Sequence, residues 1–586
     1  MRQWMVAAKK ADFYAIAEKF HVDPVVARII RNREVIGEKN IRIYLGGNLS
    51  DLSDPHQMKD MDRLVEILAQ KIRKQVHIRI IGDYDVDGVT SSHLFLTALR
   101  RVGAKVDVVI PHRIQDGYGL SLHLLQQAKE DGVDTILTCD NGIAAIDEIA
   151  WAKAQKMTVL VTDHHAVPFE EHEGRRTEKK SLADAVVNPH QQDCRYPYKE
   201  LCGAGVAWNV IRVLYENYDM DKREAEDLLD FVAMATVCDV MSLTGENRIL
   251  VKEGLKRIRH TKNIGLQALM QACNVQPENI SAYHFGYVLG PCVNATGRLD
   301  TARHALRLFE TGQETEAEEI ARDLVDLNQE RKELTLQGVE MAKKLCEEGG
   351  YENDPILVLF LPDVHESIAG LIAGRIREMY NRPVFVLTRG EEGVKGSGRS
   401  TENYSMYENM CGCAELFTKF GGHPMAAGLS LPEENVEKFR RKINENCPLT
   451  VEEVCPDIHI DMAMPVGYAS TELVHQFALL EPFGKDNPSP LFADRNLSIS
   501  RMWLIGKNRN VLRMSVLSEY GQPVPVIFFG DVETLFAYFT EKFGQEEVEN
   551  ALHGRKNRIL FSMVYIAKID FYQGNENLQL EMKYYR

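Results

Sequence analysis

Three carboxylates stand within five residues in the segment Gly82-Asp83-Tyr84-Asp85-Val86-Asp87-Gly88. Carboxylates this close repel one another unless cations neutralise them, and their oxygen atoms suit a hard divalent metal ion. A solvated turn and a calcium loop are the alternatives. An EF-hand needs Glu at the twelfth loop position, which is Leu94 when counted from Asp83, so that kind of calcium loop is excluded.

Three further polar clusters follow apolar segments along the chain. Asp140 and Asn141 come after one such segment, Asp163-His164-His165 after another, and Asp239 after a helix-like run. A turn or a helix cap is an alternative role for Asp140 and for Asp239. Adjacent imidazoles beside a carboxylate suit Mn²⁺ or Zn²⁺, so a ligand set and a structural turn both remain open for the third segment.

The elements that must position these residues alternate between β-rich and helical segments. Strands are predicted at 76–81, 106–110, 135–138, 159–162 and 185–187, with helical stretches between them. This order indicates a parallel, doubly wound sheet, in which sites form beyond the carboxyl ends of the strands. The Asp and His residues are therefore expected to converge on one rim. Mixed ligands of this kind can hold two metal ions that activate water and stabilise phosphoryl charge.

The rest of the chain changes character twice. Residues 302–348 are helical, strongly charged and free of Pro, which predicts one or two long connecting helices. A second α/β unit is predicted from residue 356 to about residue 446. Short alternating strands after Pro448 indicate a small β-barrel, and residues 1–70 are predicted to be mostly helical.

Composition limits the class of protein. A chain of 586 residues predicts several domains, and no apolar run is long enough for a bilayer span. The N-terminus lacks the apolar core of a signal peptide, so a cytoplasmic protein is expected. The 11 Cys include no paired CxxC sets, which favours reduced thiols. The net charge of −16 counts mildly against a nucleic-acid partner, although a basic groove can coexist with acidic outer faces.

Taken together, the motifs resemble the DHH phosphoesterase family, and within it the bacterial exonucleases specific for single-stranded DNA. Asp163-His164-His165 is the motif that names the family. The similar segments are GDYDVDGVTSS at 82–92, QDGYGL at 115–120, TCDNG at 138–142, TDHH at 162–165, LCGAGVAW at 201–208, ATVCDVMSLTGENR at 235–248, PCVNATGRL at 291–299, GSGRS at 396–400, KFGGHPMAAGLSL at 419–431 and LEPFGKDNPSPLF at 480–492. They extend from about Asp51 to near the C-terminus.

This resemblance implies a multi-domain α/β architecture. A parallel-sheet DHH domain at 71–300 would be joined by a long helix at 301–350 to a DHHA1 α/β domain at 351–450. An OB-fold β-barrel would follow at 451–586. The helical segment 1–70 is expected to pack on the DHH domain.

The resemblance also implies roles for residues at matching positions. Two divalent ions, Mn²⁺ or Mg²⁺, would be held by Asp83, Asp85, Asp140, His164 and Asp239. The expected catalytic residues are His165, which would face the scissile phosphate, and Asp163 and Asp87, which would be ligands or would support them. The expected substrate-binding residues are Arg113, Ser397, Arg399, His423 and Arg298.

Alternatives remain for the substrate-binding residues. Ser397 and Arg399 would bind the 5′ end together with Arg113, because a guanidinium suits bidentate phosphate binding. A tight turn with a surface Arg is the other interpretation. His423 would close the substrate side of the cleft or be a core His in a turn. Arg298 would contact the DNA backbone or brace domains, and the sequence favours neither role.

The implied activity is stepwise hydrolysis of single-stranded DNA from a 5′ end, releasing 5′-mononucleotides in DNA repair and recombination. A monomer is expected, with a single-strand-binding protein and a helicase as candidate partners. A phosphoesterase of small molecules or short oligonucleotides is disfavoured by the barrel, and an inactive scaffold by the intact acidic motifs. Departures from the family pattern occur at Ile81, Cys292, Thr296, Glu366 and Asp486, and none removes a proposed metal ligand.

Overall fold

The computed structural model describes residues 3–113, 116, 119–172, 175–390, 393–506, 509–572 and 574–586. Residues 115, 117 and 118 of the QDGYGL segment at 115–120 lie outside these residues. The chain divides into two compact units, one of residues 52–241 and 249–456 and one of residues 3–51, 242–248 and 457–586. Within the described ranges, no helix is both long enough and apolar enough for a bilayer crossing.

A five-stranded parallel sheet organises the first half of the first unit. Its strands lie in the order Val106–Val109, Ile78–Ile81, Thr135–Cys139, Thr158–Thr162 and Ala185–Val187. Most of their residues are buried and many are β-branched, as expected of parallel strands covered by helices. The doubly wound parallel sheet predicted from the sequence is confirmed.

Helices pack against this sheet and against one another. Their bounds are Met61–Arg73, Val86–Arg101, Leu122–Glu130, Ile146–Ala154, Gly203–Asn217, Lys222–Glu226, Leu229–Cys238, Gly245–Ile258, Ile264–Ala272, Ala282–His284, Gly290–Leu299 and Ala302–Glu310, with a π-helical turn at Phe285–Leu289 and a hairpin of Phe169–His172 with Arg175–Glu178. The helix Val86–Arg101 begins directly after Asp85, inside the carboxylate-rich segment. Asp85 is its N-cap, and the Asp85 side chain accepts a hydrogen bond from the Gly88 backbone N–H.

A single helix, Glu314–Glu348, follows, which confirms the predicted long connection. The second sheet of this unit has the order Lys419–His423, Ala426–Leu431, Val394–Arg399, Val384–Arg389 and Leu357–Phe360. Only the last two strands pair in parallel. The helices Ala369–Tyr380, Met406–Cys411 and Val436–Glu445 complete this second α/β layer.

The second unit contains a closed β-barrel. Its five strands are Phe492–Ile505, Val511–Leu517, Pro523–Phe528, Asn575–Tyr585 and Leu560–Tyr572, and the last pairs back with the first. Closure of five strands in this way is the OB-fold architecture, which confirms the predicted barrel. Shorter elements of the unit are Trp4–Val6, Ile458–Ile460, Met462–Ala463, Thr471–Phe477, Val532–Phe543 and Gln545–Leu552.

The N-terminal helices Phe13–Phe20, Pro24–Asn32 and Glu38–Gly46 share one hydrophobic core with the barrel strands. Val26 and Ile30 are fully buried in that core. Arg33 also forms a buried ion pair with Asp461, with 2.7 Å between Arg33 Nη1 and Asp461 Oδ1. Residues 3–51 therefore bury their apolar faces together with the barrel, and the expectation that residues 1–70 pack on the DHH domain stays a prediction. The other domain boundaries stay predictions.

Candidate active site

Acidic side chains meet where the central strands of the parallel sheet end. Asp83 and Asp85 follow the strand Ile78–Ile81, and Asp140 follows Thr135–Cys139. One carboxylate oxygen from each lies within 4.8 Å of the other two. Burial, and then the charge of Asp85, raises the pKa of Asp83 well above its usual value. Oδ1 of Asp83 has no hydrogen-bond partner among the described residues, so this cluster suits a cation.

A second set of ligand atoms surrounds His164. Its Nε2 atom lies 3.1 Å from Oδ1 of Asp140, 3.5 Å from Oδ2 of Asp239 and 3.6 Å from Oδ2 of Asp87. These contacts lack hydrogen-bond geometry, and within the described ranges Nε2 accepts or donates no hydrogen bond. Burial lowers the pKa of His164, which favours the neutral imidazole that binds metals.

These residues fit a pair of divalent ions. One set is Asp83, Asp85 and Asp140, and the other contains His164 with Asp239, Asp87 and Asp140. Asp140 is common to both, as a bridging carboxylate would be. Carboxylate oxygens with one imidazole nitrogen suit Mn²⁺ and, where oxygen ligands dominate, Mg²⁺. The structure thus brings together the five ligands that the resemblance implied.

Asp87 is fixed by the start of a helix. Its Oδ2 accepts a hydrogen bond from the Gly203 N–H at 2.6 Å, and its Oδ1 accepts one from the Ala204 N–H at 2.7 Å. The N-terminal N–H groups of Gly203–Asn217 therefore stabilise this carboxylate. Residue 203 must be Gly, because a Cβ there would lie 2.6 Å from the Cβ of Asp140.

Asp163 and His165 form a separate pair beside the cluster. Oδ1 of Asp163 lies 2.8 Å from Nδ1 of His165, and both oxygens of Asp163 also accept backbone N–H groups, from Ile143, His164 and His165. Burial lowers the pKa of His165, but the hydrogen bond with Asp163 and nearby carboxylates outweigh burial and raise that pKa to about 9. Asp163 therefore orients His165 and is in none of the metal-ligand groups found among the described residues.

The backbone at the rim is held in an uncommon conformation. Asp140 has a φ of +62°, in the left-handed region that few residues besides Gly, Asn and Asp adopt. The neighbouring Asn141 side chain donates to the carbonyl oxygens of Ile81 and Cys139 and so ties two strand ends together. Such conformations occur at functional sites where surrounding contacts hold them in place.

The GSGRS segment lies on the strand Val394–Arg399, so the tight-turn alternative for Ser397 and Arg399 is excluded. Alternation along a strand puts Ser397 and Arg399 on one face. Gly396 and Gly398 face the core, where a Cβ at either would lie within 2.5 Å of Leu387 or Met406. Because Gly396 and Gly398 have no side chains, the hydrophobic core packs closely against one face of the strand. Ser397 and Arg399 lie on the opposite face.

A pocket of about 400 Å³ lies in front of this face. Its lining includes Tyr84, Arg113, Ser367, Lys395, Ser397 and Lys419. Tyr84 stands between Asp83 and Asp85 in the chain, so the pocket adjoins the carboxylate cluster. Cζ of Arg113 lies 5.0 Å from the centre of the Tyr84 ring, a cation–π contact that holds the guanidinium at the pocket.

Partly buried arginines lie close together behind the pocket. Burial, and then the charges of Arg113, Arg331 and Arg399, lowers the pKa of Arg298 to about 9. Burial and Arg113 also lower the pKa of Arg399. In the part of the chain that the structure describes, Arg298, Arg331 and Arg399 form no ion pair with a carboxylate. Positive charge held without a counter-ion favours binding of an anion such as a phosphate.

Arg298 and His423 are the other two residues that the sequence analysis predicted to bind substrate, and the structure places them differently. Arg298 Nη1 donates to the Ser367 carbonyl at 2.6 Å, so it braces two helical segments whether or not it contacts DNA. His423 is exposed at the end of its strand and is not among the described residues that line the pocket, although Gly421 is. Its role stays a prediction.

The sequence interpretation missed Arg331, Lys395 and Lys419. Lys395 precedes Ser397 by two residues, so strand alternation was a usable signal for it. Its Nζ lies 2.8 Å from an oxygen of Glu366, one of the departures from the family pattern. Arg331 carried no signal, because nothing local shows which face of the long helix meets the arginines.

Three family models match the chain in order. They are the DHH family N-terminal domain at residues 77–236, the DHHA1 domain at 353–447 and the RecJ OB domain at 460–584. The two α/β layers and the barrel of the structure correspond to these three matches.

Curated relatives match most of the chain. The single-stranded-DNA-specific exonuclease RecJ of Bacillus subtilis is 33% identical over 512 residues, which are 87% of this chain and 63% of that protein. This chain therefore spans less than two thirds of that relative's length. The protein of the same name from Haemophilus influenzae is 32% identical over 582 residues, which are 96% of each chain.

Solved structures agree in fold. RecJ from Thermus thermophilus in complex with Mn²⁺ has a TM-score of 0.81 and 24% identity, and the match covers 100% of this chain and 79% of that one. A RecJ exonuclease bound to manganese has a TM-score of 0.56 and 32% identity, over 66% of this chain and 94% of that one. With three domain matches in order and relatives above 30% identity, the chain belongs to the RecJ family of DHH-domain proteins.

Proposed function

We propose that this chain is a metal-dependent exonuclease that degrades single-stranded DNA from the 5′ end and releases 5′-mononucleotides, in DNA repair and recombination. The observation that carries the proposal is a buried carboxylate and imidazole cluster that adjoins an arginine-backed pocket through Tyr84. The cluster suits hydrolysis of a phosphodiester bond, and the pocket suits a terminal phosphate. The names of the Bacillus and Haemophilus relatives support DNA as the substrate.

Asp83, Asp85 and Asp140 would hold one divalent ion, and Asp140, His164 and Asp239 would hold the other. Mn²⁺ or Mg²⁺ bound there would lower the pKa of water and neutralise charge on the phosphate. Asp87 would keep the first turn of Gly203–Asn217 against Asp140 through its two backbone hydrogen bonds. A manganese-bound relative supports this choice of ion.

Arg399, Ser397 and Arg113 would bind the 5′-terminal phosphate. Arg399 packs against Gly370, and its Nη1 donates to the Gly398 carbonyl, so its guanidinium is fixed before substrate arrives. A fixed guanidinium loses little conformational entropy when it binds a phosphate. A 5′ end held in this pocket would fix which phosphodiester bond reaches the proposed metal ligands. If that bond is the first one, a single nucleotide leaves at each step.

His165 would face the scissile phosphate. Asp163 holds its Nδ1 atom, so Nε2 is the atom that can point towards substrate. An N–H at Nε2 would donate to a non-bridging phosphate oxygen and stabilise the negative charge that develops during hydrolysis. Asp163 would act through His165 by fixing the orientation of the ring.

The barrel would bind the strand by stacking and backbone contacts. Trp503 is half-buried, with Cζ of Arg501 and of Arg513 lying 5.7 and 5.9 Å from its ring centre. Phe529 is exposed, whereas Phe528 is buried in the barrel core and is unsuited to stacking on a base. Trp503 and Phe529 are therefore better placed than Phe528 for stacking on a base.

The test uses the full-length protein with Mn²⁺ or Mg²⁺ supplied separately. Substrates are long single strands labelled at the 5′ or the 3′ end, the corresponding duplexes, and a dinucleotide. We expect early release of labelled mononucleotide from the 5′ label and slow loss of the 3′ label. Duplex should resist cleavage, and Asp140→Ala should abolish turnover while the protein remains folded.

Two results would contradict the proposal. Cleavage restricted to the dinucleotide would favour the alternative of a short-oligonucleotide phosphoesterase, and DNA binding without cleavage under any metal condition would favour a scaffold. Full activity of Asp140→Ala would contradict the metal assignment. The Asp227→Ala variant is a matched control, because Asp227 is an exposed carboxylate that pairs only with the side chain of Lys262 in the described structure.

We also propose that the protein acts in the cytoplasm as a monomer, together with a single-strand-binding protein and a helicase. A nuclease that needs a free single strand requires another activity to unwind duplex DNA, which supports the helicase. Sedimentation of the purified protein measures the oligomeric state. Stimulation of duplex degradation by an added helicase tests the partnership.

A further inference from the structure

A pair of cysteines lies close together among the helices behind the arginines. Cys273 caps the C-terminal end of the helix Ile264–Ala272, and Cys292 lies in the first turn of Gly290–Leu299. Their sulfur atoms are 3.8 Å apart. The two residues are 19 positions apart in sequence, so tertiary packing alone brings the thiols together. Neither residue has a role in the proposed nuclease reaction.

The two thiols have different surroundings. Cys292 is 1% exposed and its Sγ accepts a hydrogen bond from the Asn328 amide. Its one S–H lies within reach of both the Val288 carbonyl oxygen and the Cys273 sulfur, and it donates to one of them at a time. Cys273 is half-exposed. The hydrogen bond with Cys292, assisted by Lys332, lowers the pKa of Cys273. Cys273 therefore has the properties of an attacking thiolate, and Cys292 those of a resolving thiol.

We propose that Cys273 and Cys292 form a reversible thiol-oxidation site, in which a hydroperoxide converts the two thiols into an intrachain disulfide. The Cys273 thiolate attacks the peroxide, the O–O bond breaks, and Cys273 becomes a sulfenic acid. The Cys292 sulfur then attacks Cys273, the S–O bond breaks, and water leaves. In sum two thiols lose two electrons and two protons, and hydrogen peroxide is reduced to two molecules of water.

The required movement is small. A disulfide needs its sulfurs at about 2.05 Å, so they must approach by somewhat less than 2 Å from their present separation. Forming the disulfide removes the S–H that can donate to Val288. Cys292 belongs to the helix Gly290–Leu299, which has three contacts to the proposed active site.

Those contacts couple the cysteine pair to the active site. Asn294 Oδ1 accepts a hydrogen bond from the Val86 N–H, directly after Asp85, and Arg298 donates to Ser367 at the pocket. Gly297 lies so close to Tyr84 that a Cβ would be 2.5 Å from the Tyr84 carbonyl oxygen. Oxidation should therefore lower nuclease turnover, a consequence that rests on the proposed function.

The experiment treats the full-length protein with hydrogen peroxide, quenches free thiols with an alkylating reagent and maps peptides by mass spectrometry. We expect a linked peptide pair containing Cys273 and Cys292, lighter by two hydrogens, that dithiothreitol separates. Cys273→Ser and Cys292→Ala should each abolish the linked pair. Two variants are used because Cys292 is buried and its replacement can impair folding. Cys411→Ser is the matched control, since Cys411 is an exposed cysteine elsewhere in the unit.

Failure of this proposal is distinguishable from failure of the proposed nuclease function, because the cross-link is detected by mass. Modification of Cys411 with Cys273 left free would overturn the site. Nuclease activity should fall several-fold on oxidation, recover with dithiothreitol, and stay constant in Cys273→Ser. Recovery with the dithiol separates the disulfide from methionine sulfoxide, which dithiothreitol does not reduce readily. Unchanged activity in fully cross-linked protein would overturn the coupling to the active site.

Discussion

Oδ1 of Asp163 accepts from Nδ1 of His165 at 2.8 Å, while the remaining hydrogen-bonding capacity of that carboxylate is taken by backbone N–H groups. The middle residue of the family motif, His164, points its Nε2 to the carboxylate cluster, and the two outer residues form a pair of their own. One three-residue motif thus supplies a candidate metal ligand and an oriented imidazole.

Asp163→Asn should lower turnover by roughly 10- to 100-fold and leave metal affinity nearly unchanged, because the residue orients His165 and does not bind an ion. Single-turnover kinetics and calorimetric titration with Mn²⁺ measure the two effects. The control is Asp62→Asn, which alters an exposed carboxylate paired with His56. Loss of Mn²⁺ binding in Asp163→Asn would contradict this assignment.

Asp140→Asn should abolish activity and raise the melting temperature of the metal-free protein. Burial and neighbouring carboxylates raise the pKa of Asp140, so its charge destabilises the folded state when no cation is bound. Removing this charge should stabilise the folded, metal-free protein by about 1.4 kcal/mol for each pH unit by which the pKa is raised. Asn also tolerates the left-handed backbone at this position. Thermal unfolding of the variant and of the unsubstituted protein, with and without a chelator, tests this. A lower melting temperature for Asp140→Asn than for the unsubstituted protein in chelator would argue against the explanation.

Gly203→Ala should destabilise the protein by about 1–3 kcal/mol and reduce metal binding, because the new methyl group would lie 2.6 Å from the Cβ of Asp140. Gly374→Ala is the matched control. It lies within the helix Ala369–Tyr380 with nothing within 4 Å of a Cβ, so it should stabilise by about 0.5–1 kcal/mol. Denaturant unfolding measures both. Equal effects of the two substitutions would show that close packing at Asp140 is unimportant.

Arg399→Lys should raise the KM for 5′-phosphorylated strands by roughly 10- to 100-fold, the usual effect of losing a charge-assisted hydrogen bond. The increase should be much smaller for strands with a 5′-hydroxyl, since they lack the phosphate. Arg389→Lys changes an exposed arginine of the same sheet that pairs with Glu433 and serves as the control. An equal effect on both kinds of strand end would contradict a role in binding the terminal phosphate.

Arg33→Met should destabilise the barrel unit by about 3–5 kcal/mol, because it leaves the buried carboxylate of Asp461 without its partner. Arg31→Met removes an arginine whose partner Glu34 is exposed and should cost at most about 1 kcal/mol. Unfolding followed by tryptophan fluorescence compares the two variants. Similar small losses would indicate that residues 3–51 contribute little to the barrel core.

Much of the candidate site follows from local pattern. The strands that precede Asp83, Asp140 and Asp163 are short apolar runs, and parallel pairing brings their ends to one edge. Their ordered motifs also identified the family. Local sequence patterns were therefore sufficient to identify the residues that meet around His164.

The separate roles within that set needed the tertiary structure. Asp87 and Asp163 both looked like ligands or supporting residues, and only the N–H groups of Gly203, Ala204 and Ile143 distinguish how they are held. Likewise, pairing of Val394–Arg399 with two neighbouring strands excludes a turn at Ser397 and Arg399.

The sequence by itself determined the order of elements, the carboxylate and imidazole set and the barrel, because side-chain periodicity and motif spacing are local properties. Only the tertiary structure decided that residues 3–51 share a core with the barrel, that Arg331 joins Arg298 and Arg399, and that Cys273 meets Cys292. These contacts join residues far apart in the chain. Their choice depends on which buried faces fit together, and no short stretch of sequence encodes that fit.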